Sequence, residues 1–244
     1  MSIACSECAL RRKDLFRPLS DEDLPHVVRQ KSEHRTVAPR HHIVEAGQTA
    51  PALYTLYEGW AFRYKTLAGG GRQILDFLLP GDMIGLQSVF TGRMRHSVCT
   101  ITQVSLCVLA GQAFETLFER RPALTVALVS TLLLDKDRAD SRLLLLGRQR
   151  PTQRLAYLML ETRDRLRARQ MGTEQACEFP LTYDQMADAL GLSRAQLARS
   201  LAELRDRGWA ILTAGQLQID DGAKMAAFCD YTGSPADNVP RTLI

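Results

Sequence analysis

Residues 181–220 carry the stretch LTYDQMADALGLSRAQLARSLAELRDRGWAILTAGQLQID. Thr182 with Gln185, and Ser193 with Gln196, repeat the S/T-x-x-Q pattern of a capping box. In a capping box the two side chains satisfy backbone N–H groups that have no partner at the start of a helix. The stretch therefore predicts two helix starts that lie eleven residues apart.

Two glycines complete the pattern of a helix-turn-helix. Gly191 stands between the two helix starts as a turn, and Gly208 closes a second helix predicted over residues 194–207. The residues on the inward faces are apolar: Met186, Ala187, Leu190, Leu192, Leu197, Leu201 and Leu204. Apolar inward faces let two short helices pack at a fixed angle.

The outward side chains near the start of the second helix are small, polar or guanidinium-bearing, and such groups fit a DNA major groove. They are Arg194, Ala195, Gln196, Arg199 and Ser200. Residues 209–220 then predict two strands joined at Ala214 and Gly215, a β-hairpin wing. A winged helix-turn-helix is a DNA-binding module; the alternative is an ordinary helical hairpin.

The first half of the chain has a different pattern of residue types. Residues 40–110 consist of short runs rich in β-branched and aromatic residues, each closed by Gly or Pro, which predicts a barrel or roll of antiparallel strands. Residues 124–146 then contain no Gly or Pro and predict one long helix, followed by a hinge at residues 147–151. We expect residues 152–169 to form an amphipathic helix with its arginines outside, and residues 170–180 to be a polar loop.

The long helix carries apolar side chains at heptad spacing, which favours a coiled-coil partner. The seam residues are Val129, Leu132, Ala139, Leu143 and Leu146. The alternative is that this stripe covers the β module. The domain organisation predicted from these patterns is an N-terminal Cys-bearing segment (1–21), a β-roll sensor (22–120), a dimerisation helix (121–147), a winged helix-turn-helix (148–222) and a C-terminal tail (223–244).

Composition limits the function classes. The 244 residues have a formal net charge of +4 and contain no apolar run of the length that spans a bilayer, so we expect no membrane association. A secretory signal is not supported either, and we expect a cytoplasmic protein with reduced cysteines. Common catalytic motifs are absent from the sequence, which favours a protein that is not an enzyme.

Over residues 10–230 the sequence resembles the Crp/Fnr family of bacterial transcription regulators. The resemblance rests on PGDMIGLQSVF at residues 80–90, on the long helix after FETLFERRP, and on LTYDQMADALGLSRAQLARSL, in that order. It implies an α+β chain: a cyclic-nucleotide-binding-like β-roll, a long dimerisation helix and a C-terminal winged helix-turn-helix. It also implies a homodimer that binds a palindromic operator in double-stranded DNA, contacts RNA polymerase, and activates or represses transcription in response to an effector.

The resemblance assigns roles to six residues of the helix-turn-helix. Those at base-reading positions are Arg194, Ala195 and Arg199, and those at phosphate-contacting positions are Thr182, Ser193 and Gln196. The family often has Glu where this chain has Ala195, so we expect the operator to differ from the usual half-sites.

The residues that bind a cyclic nucleotide in this family are not matched. Leu86 stands where a ribose-binding Glu belongs, and His96-Ser97 stand where an Arg-Ser pair holds the phosphate. The nearby Arg93 and Arg95 are the side chains that could substitute for the missing arginine. Cyclic AMP is therefore not the expected effector.

The cysteines suggest another effector. Cys5, Cys8 and Cys107 match positions at which Fnr-type proteins hold an oxygen-labile [4Fe–4S] cluster, and the fourth ligand would be Asp14 or Cys99. A thiol switch or Zn²⁺ at Cys5 and Cys8 is a second interpretation. Two alternatives stay open: a regulator that responds to a cyclic nucleotide or small ligand without a metal, and a cupin-like β-roll metal enzyme with an appended helical domain.

Overall fold

The structure is a computed structural model that describes residues 5–13, 15–17, 24–50, 52–110, 122–233 and 241–242. The chain divides into an N-terminal unit, Met1–Leu132 with Pro240–Ile244, and a C-terminal unit, Leu133–Val239. The division falls within the long helix α3, Pro122–Arg148. The domain bounds given above stay predictions.

The N-terminal unit consists mainly of short strands. Two 3-10 turns, Cys5–Glu7 and Ala9–Arg12, precede them. The strands are β1 Phe16–Arg17, β2 Lys31–Val37, β3 His42–Val44, β4 Ala52–Glu58, β5 Ala61–Thr66, β6 Arg72–Leu78, β7 Met83–Ile84, β8 Ser97–Thr100, β9 Val104–Ala110 and β13 Arg241–Thr242. The helices are α1 Leu24–Gln30, α2 Leu86–Thr91 and the first turns of α3.

Two four-stranded sheets form the predicted β-roll. Their strand orders are β2-β9-β4-β7 and β3-β8-β5-β6, and every neighbouring pair in them is antiparallel. Successive side chains of β4 point to opposite faces of its sheet. Tyr54 and Leu56 belong to the core cluster that also contains Val98 of β8. Leu53, on the opposite face, packs with helix residues of α1 and α3.

The C-terminal unit carries the helix-turn-helix. After α3 come α4 Pro151–Ala168, β10 Ala176–Glu178, α5 Tyr183–Leu190, α6 Arg194–Asp206, β11 Ala210–Thr213, β12 Gln216–Ile219 and α7 Gly222–Phe228. β12 lies between β10 and β11 in a three-stranded antiparallel sheet. The predicted fold class, a β-roll followed by a long helix and a winged helix-turn-helix, is confirmed.

Several local predictions were wrong. The long helix does not end at Gly147 but continues to Arg148, so the hinge is shorter than predicted. Residues 170–180 are not entirely loop, because Ala176–Glu178 pairs with β12. Gly222–Phe228, which spans the predicted boundary between the winged helix-turn-helix and the tail, folds as α7 with Met225 fully buried, and that boundary stays a prediction.

The prediction for α4 was right for its apolar face and wrong for its arginines. Leu155, Leu158, Met159 and Leu166 are buried as expected. Arg165 and Arg169, however, are about 1 % exposed, and Arg169 donates through Nη1 to the carbonyl oxygen of Arg165 at 2.9 Å. A long arginine stem can be buried when its guanidinium has acceptors, which a pattern of charges along a helix does not show.

No helix in the described parts of the chain is both long enough and apolar enough to cross a membrane.

Two glycines with the same backbone conformation allow a matched test of the β-roll. Gly59 (φ 88°) and Gly47 (φ 89°) both occupy the left-handed region. A Cβ at Gly59 would lie 2.2 Å from the carbonyl oxygen of Gln103, whereas a Cβ at Gly47 would meet no atom within 4 Å. We expect G47A to cost about 1 kcal/mol of unfolding free energy from backbone strain, and G59A to cost about 1–3 kcal/mol more from the clash. Urea unfolding of the two variants measures this, and equal losses would contradict the close approach at Gly59.

Candidate DNA interface and sensor sites

Both predicted capping boxes are present. The Thr182 hydroxyl accepts from the backbone N–H of Gln185 at 3.2 Å, and the Gln185 amide oxygen accepts from the Thr182 N–H at 2.9 Å. Ser193 and Gln196 form the same pair of bonds, at 3.2 and 2.9 Å. These bonds fix the first residue of each helix, and Gly191 (φ 62°) ends α5 in the left-handed conformation.

Helix α6 is called the recognition helix below. Its N-terminal end presents the predicted base-reading side chains to solvent. Arg194, Ala195 and Arg199 are all exposed. Ser200, which the sequence placed on the same outward face, is 2 % exposed, and its hydroxyl is hydrogen-bonded to the Thr152 hydroxyl at 3.2 Å. Ser200 therefore anchors the recognition helix to α4 and does not belong to the outward surface.

Arg194 is held in place by Asp184 of α5. The Arg194 Nε and Nη2 atoms donate to the two carboxylate oxygens of Asp184, a bidentate ion pair between exposed side chains. Arginine has five N–H donors in a planar fork, so this pairing leaves the outer Nη1–Nη2 edge of the guanidinium able to donate elsewhere. Asp184 was not predicted from the sequence, because ten residues separate it from Arg194.

The wing forms as predicted. β11 and β12 pair antiparallel, with Leu212 opposite Leu217, and a two-residue turn joins them. Ala214 (φ 50°) and Gly215 (φ 76°) both lie in the left-handed region, as a tight hairpin with native twist requires. β10 adds a third strand on the far side of β12, so the wing is supported along its length.

The N-terminal unit contains a cavity on the outer face of the β2-β9-β4 sheet, called the thiol cavity below. Its space of about 440 Å³ includes volume that is open to solvent. Its polar lining consists of Cys5, Cys8, Arg11, Lys31, His34, Thr55, Tyr57 and Cys107. The three cysteines predicted to hold a cluster are thus brought to one place.

Strand register explains how Cys107 and His34 reach this cavity together. Cys107 of β9 is directly opposite His34 of β2 on one side and Thr55 of β4 on the other. Directly paired residues project from the same face of a sheet, so the three side chains form a row. The Cys107 Sγ lies 3.5 Å from the His34 Nε2, and the His34 ring meets the Tyr57 ring edge to face with centroids 5.5 Å apart.

Burial sets the protonation of the Cys107 thiol. It raises the pKa of Cys107 to about 11, with further upward contributions from Cys8 and Cys5 and downward ones from Lys31 and Arg11. The thiol is therefore protonated at neutral pH unless a cation replaces the proton.

The proposed fourth cluster ligands were Asp14 and Cys99. Asp14 lies outside the described residues. The structure places Cys99 on β8 in the other sheet, opposite His42 and Phe62. Within the described ranges, no three His, Cys, Asp or Glu side chains already stand close enough together to hold a metal ion.

The two residues at the expected nucleotide-phosphate positions, His96 and Ser97, carry no positive charge at neutral pH. Burial, followed by the nearby Arg63 and Lys65, lowers the pKa of His96 to about 4, so its ring is neutral at pH 7. The Ser97 hydroxyl accepts from the backbone N–H of Ala46 at 3.0 Å. Leu86 opens α2 and packs against an apolar cluster. Arg93 and Arg95 are exposed.

Apolar side chains are exposed along α3. The exposed fraction is 48 % for Val129, 44 % for Leu132 and 72 % for Leu143, and Ala139 is exposed as well. Leu146 differs, because it is half-buried and lines a second cavity with Ala189 and Leu190 of α5. Four of the five predicted seam residues are thus accessible, whereas Leu146 packs partly within its own unit.

Comparison with known proteins agrees with this geometry. A family model described as a cyclic nucleotide-binding domain matches residues 34–121, and one described as a Crp-like helix-turn-helix domain matches residues 153–228. The nitrogen fixation regulation protein FixK of Bradyrhizobium diazoefficiens is 29 % identical over 230 residues, which cover 91 % of this chain and 92 % of FixK. The transcriptional activator protein FnrL of Cereibacter sphaeroides is 26 % identical, covering 84 % of this chain and 82 % of FnrL.

The solved structure of FixK2 from Bradyrhizobium japonicum shares the fold, with a TM-score of 0.72, 23 % identity and coverage of 80 % of this chain and 95 % of FixK2. A β-roll, a long helix and a winged helix-turn-helix with exposed arginines define a DNA-binding transcription regulator with a sensor domain. This chain belongs to the Crp/Fnr family of such regulators.

Proposed function

We propose that this regulator binds, as a cytoplasmic homodimer, a palindromic operator that its two recognition helices read in the major groove. The observation that carries the proposal is the exposure of Arg194 and Arg199 near the start of a helix whose first residue is fixed by the capping box at Ser193. Arginine donates two parallel hydrogen bonds to the O6 and N7 atoms of guanine, and helix N-termini attract phosphate.

The two arginines reach bases in different ways. Arg194 is oriented by Asp184, and its outer edge has the geometry that guanine O6 and N7 accept. Arg199 lies one turn along the helix and donates weakly through Nε to the carbonyl oxygen of Ala195 at 3.4 Å. Ala195 itself presents a methyl group, which suits contact with the methyl of thymine and not a hydrogen bond.

The phosphate contacts we propose come from the capping residues. The hydroxyl oxygens of Thr182 and Ser193 accept backbone N–H groups, and each hydroxyl also has one O–H donor, which a phosphate oxygen accepts. The Gln196 amide oxygen is engaged by the Ser193 N–H, so its NH₂ end is the part that faces a phosphate. Such contacts set register on the duplex without reading sequence.

Dimerisation through α3 is the second part of the proposal. Val129, Leu132 and Leu143 expose apolar surface at heptad positions, which a second copy of the helix would cover. A twofold dimer places two recognition helices against two half-sites, which is why the operator is expected to be palindromic. The family resemblance also implies that the DNA-bound dimer contacts RNA polymerase. We assign no surface of this chain to that contact.

The effector is a separate question, for which the thiol cavity supports a second proposal. Relatives of Fnr type are consistent with a redox cofactor, and the three cysteines on this cavity are the donors that a [4Fe–4S] cluster would use. Such a cluster needs four protein donors, and the described residues supply three cysteines. Arg11 and Lys31 at the same cavity offset thiolate charge. A cluster bound there would supply sensitivity to oxygen.

The base-reading role of Arg199 is tested by substitution. R199A should weaken binding to the operator by about 1–3 kcal/mol and flatten the preference at one base position. The operator is obtained by selection from a randomised duplex library, and binding is measured by fluorescence anisotropy on all single-base variants. R205A is the matched control, because Arg205 is exposed on the same helix and pairs with Asp206. An equal loss on random DNA would refute base reading by Arg199.

Asp184 should act as a positioning residue for Arg194. D184N removes one carboxylate oxygen and one negative charge, so discrimination at the base read by Arg194 should fall about tenfold while binding to random DNA stays equal or strengthens. D206N is the control, because it removes the same charge from an equivalent exposed ion pair. If both variants change discrimination equally, the effect belongs to net charge and the positioning role is wrong.

A charge on the dimer seam should dissociate the protein. L143E places a carboxylate at the most exposed seam residue, and we expect monomers that bind the full operator at least about tenfold more weakly. L144E is the control, since Leu144 is also exposed but lies about 100° around the helix. Light scattering gives the mass in solution, and a dimeric L143E protein would overturn the seam assignment.

A further inference from the structure

The thiol cavity contains a nitrogen donor that the cysteine pattern did not indicate. We propose that Cys5, Cys8, Cys107 and His34 form a four-donor site for one divalent, thiophilic ion of the zinc class. This inference rests on the thiol cavity as the proposed sensor site. It puts a single ion there in place of the iron–sulfur cluster, and because the two occupants exclude each other the experiment below decides between them.

The separation between Cys107 and His34 carries the argument. The Cys107 Sγ and the His34 Nε2 are 3.5 Å apart. A sulfur at about 2.3 Å and an imidazole nitrogen at about 2.0 Å from one tetrahedral ion lie about 3.5 Å from each other. In a cluster each protein donor binds a different iron, so two donors lie farther apart than this. The observed spacing is that of a thiol–imidazole hydrogen bond, and it also fits two donors of a single ion.

The cross-strand register makes this pair a fixed feature of the fold. His34 and Cys107 are direct antiparallel partners on β2 and β9, in the middle of a ladder that runs from Lys31 to Val37. The Tyr57 ring meets the His34 ring at 84° and limits its rotation. Two of the four donors are therefore preorganised on a rigid sheet.

The other two donors lie on the first turns of the described chain. Cys5 begins and Cys8 ends one hydrogen-bonded turn, in which the Cys8 N–H donates to the Cys5 carbonyl oxygen at 3.4 Å. Both thiols line the same cavity as Cys107 and His34. The four donors are not yet within bonding distance of one ion, so binding would draw this turn toward the sheet. The empty space of the cavity allows that movement.

Charge and protons balance in such a site. Three thiols lose three protons to solvent, the neutral imidazole loses none, and a divalent ion with three thiolates carries a net charge of −1. Arg11 and Lys31 line the same cavity, and their positive charges stabilise that negative charge. No oxidant or reductant takes part. The bound ion would link residues 5–8 to β2 and β9.

The experiment titrates chelator-treated, reduced full-length protein with Co²⁺, whose visible spectrum reports tetrahedral sulfur and nitrogen ligation, and then displaces it with Zn²⁺. We expect one ion per chain and release of three protons. H34Q should raise the dissociation constant at least about tenfold and alter the d–d bands. H34C should restore tight binding with an all-sulfur spectrum, which shows that H34Q is folded and lacks only a donor. C99S is the control and should bind as the wild type does, and D14N should bind equally well if His34 and not Asp14 is the fourth donor.

Several outcomes would overturn the proposal. They are an H34Q protein that binds with unchanged affinity and spectrum, loss of binding in D14N in place of H34Q, and a wild-type protein that takes up no ion. Anaerobic reconstitution with iron and sulfide is a parallel arm, and uptake of four irons with sulfide per chain would also refute a single-ion site. Operator binding by the same preparations is measured alongside, so a failure of the ion site is distinguishable from a failure of DNA recognition.

Discussion

The capping box of Ser193 and Gln196 is the interaction on which the DNA-binding surface depends. It fixes the residue at which the recognition helix begins, and a shift of one residue would turn the outward face by about 100°. Thr152 then holds the middle of that helix through Ser200 and Glu203, at 3.2 and 2.7 Å. Arg154 donates to the Leu190 carbonyl oxygen at the end of α5. The exposed arginines are therefore positioned by hydrogen bonds from two neighbouring helices.

The helix-turn-helix was predictable from sequence because its signals are local. A capping box spans four residues, and a turn glycine and a two-residue hairpin each act within a few residues of the chain. The same reasoning failed where the local signal is weak. Gly147 is tolerated inside α3 because glycine costs only about 1 kcal/mol in a helix interior. The strand Ala176–Glu178 is short and polar, and it forms because β12 offers it a free edge.

The residues of the candidate sites were also predictable only where the sequence signal is local. The three cysteines were predicted from the resemblance to Fnr-type proteins, and the structure brings them to one cavity. His34 was missed, because its proximity to Cys107 comes from a strand pairing across 73 positions of sequence. Asp184 was missed for a similar reason: ten residues separate it from Arg194. Residues 31–37 (KSEHRTV) are almost all polar, so no alternation of apolar side chains indicated β2 or its partner strand.

The central claim is that the recognition helix reads sequence, and selection from a randomised duplex library tests it most directly. The full-length dimer would be challenged in oxidised and in reduced buffer, with the selected duplexes sequenced after each round. Our account predicts that a twofold-symmetric sequence with a guanine in each half-site is enriched in at least one of the two buffers. A pool that stays random in both, while the protein remains folded and dimeric, would contradict it.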